Sequence, residues 1–182
     1  MKLKALASLC NEARCVYLFN EEDGTQWAGT GFALWRLPEN LRTLTQDALC
    51  AIFDISQEKQ GKMVIKTKEM PAAFDTGEYS AGEKDLLYWL DRRVILNGVD
   101  LLPTQAPNGE IFTIQTKNLR PGSDAEQPGL ALRRPEGGNP YVVYKDGLFV
   151  QAIILPWHAE PETITWLGNV CRGITVEENE TV

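Results

Sequence analysis

Histidine is nearly absent from this 182-residue chain, which has one, His158. A single histidine with four cysteines (Cys10, Cys15, Cys50 and Cys171), none of them in a C-x-x-C pair, cannot assemble the usual zinc ligand sets. Nor do such scattered cysteines make a disulfide framework, and they read as buried thiols of a reducing compartment. Long apolar runs are also missing: nothing approaches the roughly 20 residues of a membrane-spanning helix. The start, Met1-Lys2-Leu3-Lys4, has no apolar stretch or small-residue cleavage site behind it, so a cytoplasmic protein with no membrane partner is expected. Positive charge is in short supply, with 18 Lys and Arg against 25 Asp and Glu, a net −7. That excludes a globally basic nucleic-acid binder and leaves only a local basic face.

Several recognisable site patterns are lacking too. Gly29-x-Gly31 is not followed by a helix at dinucleotide spacing, so it is not read as a phosphate loop. Glu21, Glu22 and Asp23 form an acidic hairpin tip, better explained by solvation than by a bound cation. His158 follows Trp157 at a strand end without a Ser, Cys or Asp motif near it, which suits a capping or surface histidine better than a general base. No catalytic residue, cofactor site or metal ligand is assigned.

What the chain does have is strand and turn chemistry. Residues 111–115 alternate, and three β-rich runs follow at 130–134, 140–145 and 148–155. They are separated by Glu136-Gly137-Gly138-Asn139 and Lys145-Asp146-Gly147, whose Gly, Asn and Asp supply positive φ for tight turns. An antiparallel meander is predicted there, with 110–115 and 130–155 in one sheet. Upstream, Leu3, Leu6, Leu9 and Cys10 predict a helix over 2–12, and 15–19 a strand. Asp23-Gly24 turns the chain into a long strand over 26–37, where Gly29 and Gly31 suggest a bulge or close backbone approach. A second helix is expected over 44–54, with Thr43 and Gln46 at capping-box spacing and Leu49, Ile52 and Phe53 as its apolar side. The lysine-lined 62–68 is an edge strand. Residues 85–93 suit helix or strand, and Asn97-Gly98 makes a two-residue hairpin. Ile164, Leu167, Cys171 and Ile174 form the stripe of a last helix running from Pro161, ahead of an acidic tail over 177–182.

Isolated helices among antiparallel strands mean α+β, here with two to three short helices. Residues 1–158 are taken as one domain in two halves, about 1–68 and 85–158. The Pro-, Gly- and acid-rich 69–84 links them, and 159–182 holds the last helix and tail.

In three short segments the chain resembles the bacterial DNA sliding clamp, the processivity subunit of the replicative polymerase. Val150–Pro156 (Val-Gln-Ala-Ile-Ile-Leu-Pro) is similar to the strand that closes a clamp domain, Ile111–Leu119 to the strand leading into a domain's second helix, and Gly29–Leu34 to the Thr-Asp-Gly segment with its apolar strand. The overall style also resembles small accessory proteins of Firmicutes prophages. The resemblance implies a domain of two β-α-β-β-β-type halves and a non-catalytic role in protein–protein, including replication-associated, contact or self-association. A small enzyme whose site assembles only in three dimensions and a structural oligomeric phage protein are the alternatives. The helix that would face DNA carries only Asp47 as a charge, so nucleic-acid contact must come from a small set: Arg92, Lys117, Arg120 and Arg133. Such a patch neutralises three or four phosphates at most and binds weakly. Among the five tryptophans most are expected in the core, with one or two exposed at an interface.

Overall fold

The computed structural model describes residues 1–41, 43–80, 85–90, 92–158, 160 and 162–169. It is an α+β fold in which one large sheet carries a separate cover on each face. The elements are α1 (Leu3–Ala13), β1 (Cys15–Asn20), β2 (Gln26–Gly29), β3 (Ala33–Arg36), α2 (Gln46–Ile52), α3 (Gln57–Gln60), β4 (Val64–Glu69), β5 (Asp85–Leu86), β6 (Tyr88–Trp89), β7 (Val94–Leu96), β8 (Val99–Gln105), β9 (Ile111–Gln115), β10 (Pro128–Arg133), β11 (Tyr141–Asp146) and β12 (Phe149–Ile154). A short helix, α4, follows over 162–169.

The main sheet has eight strands in the order β4-β1-β2-β3-β12-β11-β10-β5. Only β1 and β4 run parallel; every other pairing is antiparallel. The first-half strands join the second-half strands at β3 and β12, where Leu34 faces Ile153. The predicted meander is the β10-β11-β12 part, with Gly137 and Gly147 at φ +70 and +58 in its turns. Its interior residues are almost all buried because the sheet is covered on both sides. On one face Val142, Tyr144, Leu132 and Trp35 pack with Leu6 and Leu9 of α1 and Leu49 and Phe53 of the α2 region. On the other, Tyr141, Val143, Ala131 and Trp27 form a second cluster with Met70 and Phe74. A fully buried side chain of this size stabilises by roughly 1.5–3 kcal/mol.

Residues 70–80, within the composition-marked link over 69–84, form that second cover. Met70 N–H donates to Asn20 O at 2.8 Å, and Phe74 meets Tyr141 edge-on with ring centroids 5.1 Å apart. Tyr141 Oη accepts from Asp75 N–H at 2.7 Å. The carbonyls of Asp75 and Gly77 accept from the Arg133 guanidinium, that of Gly77 at 2.7 Å, and the Glu78 carbonyl accepts from Lys145 Nζ at 2.9 Å. Glu78 also pairs with Arg36 at 2.5 Å and accepts from Val150 N–H. A loop without secondary structure thus has its backbone acceptors satisfied by side chains of the sheet.

Four local expectations are corrected. Residues 111–115 do not join the meander: Pro107-Asn108-Gly109 closes a hairpin, with Ala106 N–H on Glu110 O at 2.9 Å, that commits β9 to β8 in a second, smaller sheet. The strand expected over 26–37 is two strands, because Thr30 Oγ1 accepts from Phe32 and Ala33 N–H and turns the chain. Gly29 is the close approach, since a Cβ there would lie 2.0 Å from Ala33 O. The cap of α2 is Thr45, accepting from Ala48 N–H, while Thr43 takes a positive φ of 67° two residues earlier. Ile52 then points out, 40% exposed, and Leu49, Cys50 and Phe53 turn in.

The ambiguous 85–93 resolves into a crossing between sheets. β5 pairs with β10 in the large sheet and β6 with β8 in the small one, with buried Leu87 between them. β7 and β8 form the predicted hairpin at Asn97-Gly98, both residues at positive φ. In α4, Leu167 is buried and Ile164 half-buried. Cys171, Ile174 and the acidic tail lie outside the described residues.

Candidate functional site

Thr116–Gly122, after β9, forms a 3-10 helix. Pro121 within it has no N–H for a longer α-helix, and the chain turns tightly instead. Gly122 is the docking point. A Cβ there would sit 2.5 Å from Trp35 Cη2 and 2.7 Å from Tyr144 Cε1, so only glycine lets the helix lie against those rings. Tyr144 Oη donates to Gly122 O at 2.7 Å, and Trp35 Nε1 donates to Asn118 O at 3.2 Å. The two rings pack 5.2 Å apart. Burial pushes the Tyr144 hydroxyl's pKa up, with Asp146 and Asp124 adding to the rise, so it stays a neutral donor. The helix is also tied to α1: Lys2 N–H reaches Pro121 O at 2.6 Å, and Arg120 pairs with Glu12 at 3.1 Å.

This rigid placement makes one wall of a cleft of about 540 Å3. The opposite wall comes from β6 and the connection to β7, which bring Trp89, Arg92 and Arg93. Thr116, Arg120 and Ser123 line the helix side, above a floor of Leu102 and Tyr144. Adjacent residues of a strand point to opposite faces, so on a strand Arg92 and Arg93 would leave only one side chain per face. Residues 92–93 lie outside any strand, so Arg92 and Arg93 both reach the cleft. Arg93 makes a 3.7 Å contact with Asp100, both side chains well exposed.

Of the four sequence-derived phosphate contacts, Arg92 and Arg120 meet here. Lys117 lies on the same 3-10 helix, half-buried, and is not part of the lining. Arg133 does not join them. Like its neighbour Ala131 it projects from β10 toward the second cover, while Leu130 and Leu132 face the 3-10 helix side. It is 2% exposed and committed to the Asp75 and Gly77 carbonyls. Sequence reasoning did not attach Trp89 and Arg93 to the site, because the non-local β6–β8 pairing brings them there. Trp89 is 41% exposed and Trp166 52%, against full burial of Trp27 and Trp35.

His158 lies elsewhere, in an open, mainly apolar groove of about 740 Å3 between β9 and the chain after β12. Trp157 N–H donates to Thr113 O at 2.7 Å, and Thr113 Oγ1 returns a bond to Trp157 O at 3.2 Å, docking that segment on β9. Glu110 is the carboxylate lining this groove, and Arg134 holds it at 2.6 Å while covering the Phe112 ring. Among the described residues no group of His, Cys, Asp and Glu is arranged to hold a metal ion, and no helix is long and apolar enough to cross a membrane. Cys10 is an inert thiol, its pKa pushed up from 9.0 to about 12 by burial and secondarily by Cys15. No family model, curated protein or solved structure matches the chain.

Proposed function

We propose that this chain is a non-catalytic accessory protein that acts by binding, with a protein as its partner and a second copy of itself as the first partner to test. The observation that carries the reading is strand β7. Val94-Ile95-Leu96 pairs with β8 along one side, has no other strand partner among the described residues, and holds no charge. Ile95 is 77% exposed, and Tyr88 of β6, along the same side of β8, is 60% exposed. Natural sheets protect such edges with charges, prolines or bulges, and an edge left apolar is a place where another strand adds. A short apolar edge is its own complement under two-fold symmetry, β7 against β7. The sliding-clamp resemblance supports a binding role of this kind, as those proteins act by holding partners, and an accessory protein of phage type fits it too.

The enzyme alternative draws less support. A general base needs a hydrogen-bonding partner in reach of a substrate, and the carboxylate in the His158 groove is engaged by Arg134. Sedimentation velocity over a concentration series tests the proposal, comparing the wild type with Ile95→Lys. The wild type should associate with rising concentration and the variant should stay monomeric. A wild type that remains monomeric throughout, or a variant that associates equally, contradicts β7-mediated pairing.

A further inference from the structure

We propose that the cleft between β6 and the Thr116–Gly122 helix binds a base–phosphate unit, a nucleotide either free or as part of a single strand. Trp89 would be the stacking surface and Arg92, Arg93 and Arg120 the phosphate ligands. This goes beyond the protein-binding role and does not depend on it. Three guanidinium side chains, a half-exposed indole and the hydroxyls of Thr116 and Ser123 line one concavity, drawn from segments far apart in the chain. A protein of net charge −7 gathers three of its arginines on one cleft, a concentration of cationic side chains that runs against its overall charge. Planar guanidinium groups suit phosphate oxygens, which they bind in bidentate fashion. Every nucleobase offers a π-face, and stacking on an exposed aromatic is worth about 1–3 kcal/mol per base.

The carboxylates beside Arg93 and Arg120 are easily exchanged. Arg93–Asp100 and Arg120–Glu12 are solvent-exposed pairs, at 3.7 and 3.1 Å, with 46–69% of each side chain accessible. Pairs of that kind contribute little, so a phosphate can replace the carboxylates at small cost. The volume of about 540 Å3 suits a small ligand with an apolar body and a few convergent polar contacts, here over the Leu102 and Tyr144 floor. A base inside a duplex is stacked on both sides and cannot present a face to Trp89, so single strands and free nucleotides are favoured over duplex.

Intrinsic tryptophan fluorescence tests this with three probes: adenosine monophosphate, an oligothymidylate and a duplex of the same length, with inorganic phosphate as competitor. The account expects saturable quenching by the mononucleotide, the oligothymidylate or both, largely lost in Trp89→Phe because Trp89 is the tryptophan that lines the cleft. Equal affinity per site for the two probes identifies free nucleotide as the ligand, and tighter oligothymidylate binding identifies a strand. Arg92→Ala/Arg120→Ala should bind roughly tenfold or more weakly. Two to three strand phosphates should give a roughly 7- to 18-fold loss of affinity between 50 and 200 mM salt. All the altered side chains are exposed, and an unchanged urea midpoint confirms folding. Lys66→Ala, on the far edge strand β4, should bind as the wild type. Absence of quenching, quenching that survives both sets of variants, duplex binding as tight as single strand, or full competition by inorganic phosphate at equal concentration would each overturn the proposal.

Discussion

The two covers of the large sheet both rely on arginine, and they use it in opposite ways. On the 70–80 side Arg133 is buried and its guanidinium serves the backbone carbonyls of Asp75 and Gly77, the first shared with Tyr141 Oη. On the 116–122 side Arg120 and Arg93 are exposed, paired loosely to Glu12 and Asp100, and open onto a cleft. The first cover is closed by its cation and the second is held by packing, through Gly122 between Trp35 and Tyr144, while its arginines stay exposed at the cleft. An arginine's role therefore follows from which cover it belongs to.

The sharpest way to break this contrast is Arg133→Met. Removing the guanidinium takes a charged donor from the Gly77 carbonyl and leaves the Asp75 carbonyl with Tyr141 Oη, and we expect a loss of about 3 kcal/mol in urea unfolding, with faster proteolysis near residue 75. Gly122→Ala attacks the other cover. The added methyl meets Trp35 and Tyr144 inside 3 Å, so a loss of about 2 kcal/mol and a weakened cleft are expected from thermal unfolding.

Alkali offers a graded version that spares both covers at first. Cys10 has a folded pKa raised from 9.0 to about 12, so its stabilising contribution is complete below pH 9 and is lost as pH rises toward 12. Above pH 9 the unfolded chain releases a proton that the folded one keeps, so stability should fall by about 1.4 kcal/mol by pH 10. Tyr141 and Tyr144, both raised chiefly by burial, act in the same direction. Urea midpoints across pH 8–11 should fall, and Cys10→Ala should remove the part belonging to the thiol. The smallest effect belongs to Arg120→Ala, where losing an exposed pair should change stability by no more than about 0.5 kcal/mol in the same assay.

Much of the fold was legible because local chemistry decided it. The Asn97-Gly98 hairpin, the β10–β12 meander and the lysine-lined edge strand β4 follow from turn residues and alternation. What was not legible depended on non-local pairing. Residues 111–115 carry the same alternation whether they join β10 or β8, and the turn at Asn108-Gly109 settles the matter. Residues 70–80 have loop composition, and nothing in it reveals that Arg133, Lys145 and Tyr141 would hold them down. The candidate site was half visible. Arg92 and Arg120 were identified by charge, Arg133 was grouped with them although the period-2 geometry of β10 sends it to the other face, and Trp89 joined only through β6–β8 pairing.

The central claim, that one face's arginine holds the fold and the other's serve a ligand, is tested most directly by titrating oligothymidylate into Arg133→Met and Arg120→Ala side by side, at a temperature where both are folded. The account predicts wild-type affinity for Arg133→Met despite its lower stability, and affinity roughly threefold to tenfold weaker for Arg120→Ala at wild-type stability. Equal weakening in both, or weakening in Arg133→Met alone, would contradict it.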